Sequence, residues 1–213
     1  MIPSPVSRFS YALEPIVPIG TAPSAHEVEL LCRTPNPDWI AWYCRVPEIV
    51  LNAVQNLGTK RVAINLDTEQ ILHPEIASAI ASMKGLPIDI EWTERVSSDA
   101  LVASAAQQLR DWQQRYQFGI SIDDVGSGQD GLSRASATQA HRIKIDGKTF
   151  QSWRHSPRMG QMVNGLVTLY RSVGCDVVVE WVETIEDFAQ ARFMRATHTQ
   201  GRLWRTQEIL GIQ

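Results

Sequence analysis

The sequence predicts an α/β protein in which parallel strands are joined by helical crossovers. Three observations lead there. Short apolar runs alternate with longer amphipathic stretches along the whole chain. The amphipathic stretches follow a 3.6-residue period, whereas the apolar runs are strand-length and rich in Val and Ile. No repeat, low-complexity tract or Gly/Ser linker interrupts the alternation, so residues 1–213 are expected to form one domain.

Strands are expected at Val28–Cys32, Val62–Leu66, Ile88–Trp92, Gly119–Asp123, Arg142–Ile145 and Val177–Trp181. Weaker candidates lie near Leu13–Val17 and His198–Leu203. Ala100–Tyr116 reads as a helix, with Leu101, Val102, Ala105, Leu109 and Trp112 on one stripe. Met159–Val173 repeats the pattern, with Pro157 at its start and Gly174 at its end. A helix is also expected over Asp38–Leu57, and a short one after Gln200. Repeated strand–helix–strand units require parallel pairing. Periodicity alone leaves an open doubly wound sheet and a closed barrel as alternatives.

The 213 residues are 44% hydrophobic and carry a formal net charge of -3, which suits a globular core and disfavours a nucleic-acid binder. No apolar run reaches the roughly 20 residues that span a bilayer, so no membrane association is expected. The N-terminus does not read as a signal peptide. Cys32, Cys44 and Cys175 lack CxxC spacing and read as thiols of a reducing cytoplasm.

The polar residues on the strands carry the functional signal. Glu29, Asn65, Glu91, Asp123 with Asp124, Lys144, Glu180 and Gln200 each fall in or at the end of a different expected strand. Singly, each has a plainer reading. Glu29 would pair with Arg33, Asn65 would cap a helix, Asp123–Asp124 and Gln200–Gly201 would mark turns, and Lys144 would face solvent. Jointly they need a common cause, because a charge in a buried strand is costly unless paired or metal-bound. In a barrel the C-terminal strand ends converge on one face. Carboxylates meeting there suit divalent cations with oxygen ligands and two-metal phosphate chemistry.

The motifs then become recognisable. ELLCR (Glu29–Arg33) resembles the Glu-Ala-Leu motif, with its following Arg, of the EAL-domain family. AINLD resembles its Val-Asn-Leu-Ser strand, IEWTER its Glu-Leu-Thr-Glu, SIDDVGSG its Asp-Asp-Phe-Gly-Thr-Gly loop, and RIKID its Leu-Lys-Ile-Asp. VVEWVET resembles Ala-Glu-Gly-Val-Glu-Thr, TQGRLW the Gln-Gly-Tyr strand, and EPIV (Glu14–Val17) the first-strand Gln-Pro-Ile-Val. The resemblance implies a modified TIM (β/α)8-type barrel with one antiparallel strand. It also implies hydrolysis of cyclic di-GMP to linear pGpG by a water activated between two Mg²⁺ or Mn²⁺ ions.

By that resemblance Glu29, Asn65, Glu91, Asp123, Asp124 and Glu180 are the metal ligands. Lys144 sits by the attacking water, Gln200 orients a water, and Glu183 is an outer acid of the site. Arg33, Glu14 and Asp146 are set on the substrate side, and Glu94 steadies a neighbouring loop. The implied partners are cyclic di-GMP, a second copy through the loop after Asp124, and a regulatory protein.

The sequence also departs from the pattern. Glu14 stands for a guanine-contacting Gln, Val125 for the loop Phe, Gln129–Asp130 for Tyr-Ser, Trp181 for Gly and Arg202 for Tyr. Thr206 stands near an expected Pro. The segment from Arg33 to Arg61 is shorter than usual, and its Trp39, Trp42 and Tyr43 are expected to pack on the barrel. These departures keep open an inactive relative that binds the nucleotide or a partner. An unrelated metal-dependent barrel enzyme is a third reading.

Overall fold

The computed structural model describes residues 9–20, 27–93, 98–127 and 131–212. Its strands are β1 (Phe9–Pro18), β2 (Glu27–Cys32), β3 (Arg61–Leu66), β4 (Ile88–Trp92), β5 (Gly119–Val125), β6 (Arg142–Ile145), β7 (Asp176–Val179), β8 (His198–Thr199) and β9 (Gln207–Ile212). From β2 to β8 each strand pairs parallel with the next. β1 closes the ring by running antiparallel to both β2 and β8. The alternative left open by periodicity therefore resolves to a closed barrel with one reversed strand.

Three sequence expectations shift at the edges. β7 ends at Val179, so Glu180 and Trp181 lie just past the strand and not inside it. β8 is only two residues long, and the chain after Gln200 turns and returns as β9. The short helix expected there is thus a strand. β9 lies antiparallel to the first half of β1, while β8 takes the second half, so two short strands share one edge of β1. Gln207, Glu208, Ile209 and Ile212 supply pairing where β8 is too short to do so.

Helices α1 (Trp39–Asn56), α2 (Thr68–Leu72), α3 (Pro74–Ser82), α4 (Asp99–Tyr116), α5 (Gly131–Thr138), α6 (Gly147–Gln151), α7 (Pro157–Ser172) and α8 (Ile185–Phe193) make the outer shell. Asp38 caps α1 by accepting from the Ala41 amide. Trp42, Tyr43, Val46, Ile49, Val50 and Ala53 form its buried stripe, and each large apolar side chain so buried is worth about 1.5–3 kcal/mol over exposure. Trp42 meets Phe9 edge to face at 5.4 Å, which fastens the start of β1 to the shell. Trp42 and Tyr43 therefore pack as expected, whereas Trp39 stays 45% exposed.

Inside the barrel the side chains form layers drawn from alternate strands. The lowest comes from even strands: Glu27, Asp89 and Arg142, with His198 facing them. Arg142 bridges Glu27 at 2.6 Å and Asp89 at 3.3 Å, and Arg61 also bonds Asp89. Above them the odd strands supply Ile16, Ala63 and Val178, a separate apolar cluster, together with buried Ser121. The even strands then contribute Glu29, Glu91, Lys144 and Gln200, two residues beyond the first set.

Burial alone would raise the Asp89 carboxyl, but His141, Arg142 and Arg61 outweigh it and hold it below the usual carboxylate range. Its contribution to stability is then present above about pH 4 and lost as pH falls through the depressed value. Substituting Arg142→Ala leaves buried acids uncompensated, so we expect a loss of about 3–5 kcal/mol in urea unfolding. Acid unfolding of this variant should begin at higher pH, because the Asp89 carboxyl loses a cation that keeps it ionised. Unchanged urea and acid midpoints would show the network to be inert.

Candidate active site

The sequence-selected residues converge at the C-terminal mouth of the barrel. Lys144 on β6 is buried to 1% exposure and is the hub. Its Nζ lies 2.9 Å from Glu29 Oε2 on β2, 2.9 Å from Glu91 Oε2 on β4 and 2.9 Å from Glu180 Oε1 after β7. Asp123 Oδ1, on β5, is 3.5 Å away. The reading of Lys144 as a solvent-facing residue is therefore overturned, and Glu29 pairs with Lys144 in place of Arg33.

Two amides complete the seat of Glu29. Asn65 Nδ2 donates to Oε1 at 2.5 Å and Gln200 Nε2 donates to Oε2 at 2.5 Å. The helix cap after β3 belongs to Asp67, which leaves Asn65 free to turn inward. The Tyr43 hydroxyl of α1 donates to the Asn65 carbonyl and ties that strand end to the shortened segment.

Burial would strip the Lys144 proton, but Asp123, Glu180, Glu29 and Glu91 outweigh it and hold the ammonium charged. Glu29 is also buried, yet Lys144, Gln200 and Asn65 keep its carboxyl below the usual range. Glu91 goes the other way: burial, with Glu29 and Asp123 nearby, drives it well up despite Lys144. Burial also pushes Glu180 up to about 8, and Asp124 up to about 6 with help from Asp123 and Asp146.

The donor set fits a divalent cation. Asp123, Asp124 and Glu180 each offer a carboxylate oxygen within 4.8 Å of the others. Around them Asn65 Oδ1, Glu91 Oε1 and Gln200 Oε1 are buried acceptors with no hydrogen-bond donor among the described residues, and Asp123 Oδ1 has the Lys144 ammonium at 3.5 Å. Buried acceptors are normally satisfied, so three orphaned oxygens at one centre call for a cation. Asp124 takes a left-handed φ of 58°, which suits Asp and turns its side chain away from the regular strand course.

Other expected residues stand further out. Glu14 lies directly opposite Glu29 across the β1–β2 pair, and burial followed by the Glu29 charge raises its carboxyl. Arg33 reaches Glu14 at 4.0 Å and Glu208 at 3.9 Å. Glu183 is partly exposed and pairs with Arg202 at 3.6 Å, outside the acid cluster. Asp146 accepts from the Thr149 amide and caps α6. Glu94 and Gln129–Asp130 lie outside the described residues, as does the middle of the loop after Asp124 expected to meet a second copy.

Sequence reasoning missed Arg134. This buried α5 side chain donates to the carbonyls of Trp92 and Asp123, at 2.7 and 3.1 Å, and lies over the Trp92 ring. It thereby joins the ends of β4 and β5 beside Glu91 and Asp123. Its only sequence signal is an Arg on the inward stripe of a short helix.

A family model described as EAL domain matches residues 6–207. The cyclic di-GMP phosphodiesterase PdeR of Escherichia coli is 27% identical over 139 residues, covering 61% of this chain and 20% of that protein. The chain spans about a fifth of the length of the curated relatives it matches first. Among solved structures, an EAL domain protein from Listeria monocytogenes aligns with a TM-score of 0.79 at 19% identity, covering 93% of this chain and 88% of that one. The Klebsiella pneumoniae BlrP1 calcium/cy-diGMP complex aligns with a TM-score of 0.74 at 24% identity, covering 99% and 59%.

The raised carboxyls set a pH dependence. A cation entering the site must displace protons held by Glu180 and Asp124. Mn²⁺ affinity should therefore rise between pH 6 and 8.5, with proton release visible by calorimetry in buffers of different ionisation enthalpy. Metal-free stability should move oppositely. A carboxyl raised in the fold stabilises while protonated, fully below about pH 4, and that contribution is lost as pH rises through about 8 for Glu180. A pH-independent Mn²⁺ affinity would contradict these protonation states.

Proposed function

The chain belongs to the EAL-domain family, and on that footing we propose that it is a metal-dependent phosphodiesterase that opens cyclic di-GMP to linear pGpG. The observation that carries this reading is the Lys144 ammonium among four carboxylates, ringed by orphaned oxygen acceptors at the barrel mouth. Glu29, Asn65, Glu91, Asp123, Asp124 and Glu180 would hold two Mg²⁺ or Mn²⁺ ions. When bound, such ions supply Lewis acidity to the phosphate and a water of lowered pKa.

In the reaction one water oxygen adds to phosphorus, the bond to the 3′ oxygen breaks, and that oxygen gains a proton. Lys144 offers a fixed positive charge in a dry site where negative charge grows on the phosphate. Gln200 and Asn65 hold the Glu29 carboxylate in one orientation, so little reorganisation accompanies the step. Arg33 sits at the rim, within reach of an incoming phosphate or base. Glu183 and Asp146 act from outside the acid cluster.

A second reading is a receptor that binds the nucleotide without turnover. Glu14, standing where the family has a Gln, weakens ligand binding in both readings: a carboxyl facing Glu29 opposes an anionic ligand whenever it is ionised. The two readings part on turnover.

Incubation with cyclic di-GMP and Mn²⁺ or Mg²⁺ should yield pGpG by chromatography. Glu29→Ala should abolish it, and Lys144→Ala should reduce kcat by about 10²–10³-fold, the scale of losing one preorganised stabiliser of transition-state charge. Absence of product under conditions where the Escherichia coli relative turns over would exclude the phosphodiesterase and leave the receptor. Glu14→Gln should tighten nucleotide binding in either case.

A further inference from the structure

Trp181 follows Glu180 directly, yet the acid cluster does not use it. Its backbone φ is 53°, a left-handed conformation that bulky residues rarely adopt. The peptide that follows it is held at both its groups: Gln151 Nε2 donates to the Trp181 carbonyl at 2.8 Å, and the Val182 amide donates to the Gln200 carbonyl at 3.0 Å. The indole lies flat against Gly147, a buried glycine where an added Cβ would collide with the ring. It is nevertheless 48% exposed, so this placement gains little core burial.

Trp181 lines a cleft of about 400 Å³ at the barrel mouth. Glu14, Arg33, Glu183, Gly201 and Arg202 form the rest of its wall. Residues held in such sparsely populated conformations cluster at active sites and ligand clamps, and this one lies beside the acid cluster. Flat aromatic faces next to guanidinium groups suit a nucleobase, which stacks on the ring while the cations meet its phosphate.

We propose that Trp181 is a stacking platform for one guanine base of the cyclic dinucleotide. This rests on the phosphodiesterase family reading of the adjacent acid cluster, and it assigns Trp181 to substrate binding. The ring, seated on Gly147, presents its open face to the cleft, and the base lies between it and the Arg33–Arg202 wall.

The test uses the full chain with Ca²⁺, the ion that accompanies cyclic di-GMP in the Klebsiella pneumoniae BlrP1 complex. Titration calorimetry measures cyclic di-GMP affinity for wild type, Trp181→Gly and Trp181→Phe. Glycine suits the left-handed backbone, so the first variant should melt no lower than wild type. Its affinity should fall about 10–100-fold. The Phe variant should keep most of the affinity while losing the nucleotide-induced quenching of indole fluorescence. In Mn²⁺ turnover, Trp181→Gly should raise KM far more than it lowers kcat. Wild-type affinity in the Gly variant overturns the platform and leaves the phosphodiesterase reading standing. Tight, Trp181-dependent binding without hydrolysis removes the phosphodiesterase and supports the platform. Failure of the wild type to bind cyclic di-GMP removes both.

Discussion

The ammonium of Lys144 is the constraint on which the barrel mouth depends. Three carboxylates approach it to 2.9 Å and a fourth to 3.5 Å, from three different strands and from the residue just past a fourth. Between buried groups such charges interact far more strongly than in water, so the acids could not meet without a cation among them. One cation is too few for four acids. The protein answers by raising the proton affinity of Glu91 and Glu180 and by turning further acceptor oxygens inward. The same imbalance of charge that makes this centre costly makes it receptive to divalent ions.

That centre is one of two charged layers built by the same strands. β2 carries Glu27 and Glu29, β4 carries Asp89 and Glu91, and β6 carries Arg142 and Lys144. Each pair is two residues apart, so both members face inward. The lower set closes on itself, since Arg142, Arg61 and His141 surround Asp89. The upper set stays short of positive charge. Ile16, Ala63 and Val178 lie between the layers and keep the two fields apart. One layer is therefore a staple and the other a reactive surface, although the strand chemistry is nearly the same.

Much of this was legible in the sequence because it obeys local period and spacing. The acids at strand ends identified the mouth, and Pro157, Gly174 and the apolar stripes of Ala100–Tyr116 and Met159–Val173 announced their helices. The lower layer was written just as plainly in Glu-Val-Glu, Asp-Ile-Glu and Arg-Ile-Lys, but the eye goes to the end of each strand and passes over the residue two before it. β9 was not legible. Its pairing with β1 is a contact between the two ends of the chain, and nothing local to Gln207–Ile212 excludes a helix. Arg134 was hidden for a similar reason, because its partners are backbone carbonyls, which have no letter in the sequence. Trp181 was visible as an odd residue, but its role turns on a dihedral angle and on Gly147, 34 positions earlier in the chain.

The repeated charge pairs also bear on how the chain finds its register during folding. A slip of one residue turns every inward side chain outward and is easily rejected. A slip of two residues between β4 and β6 keeps the facing intact and still sets one of the two cations against an acid. Charge alone therefore separates the native alignment from its nearest neighbour only in part. Shape does the rest: Gly119 leaves the space that the Asp89 carboxylate fills, and no other residue type fits against it. A missing side chain on β5 thus acts as the notch that fixes which rung each strand of the ladder occupies.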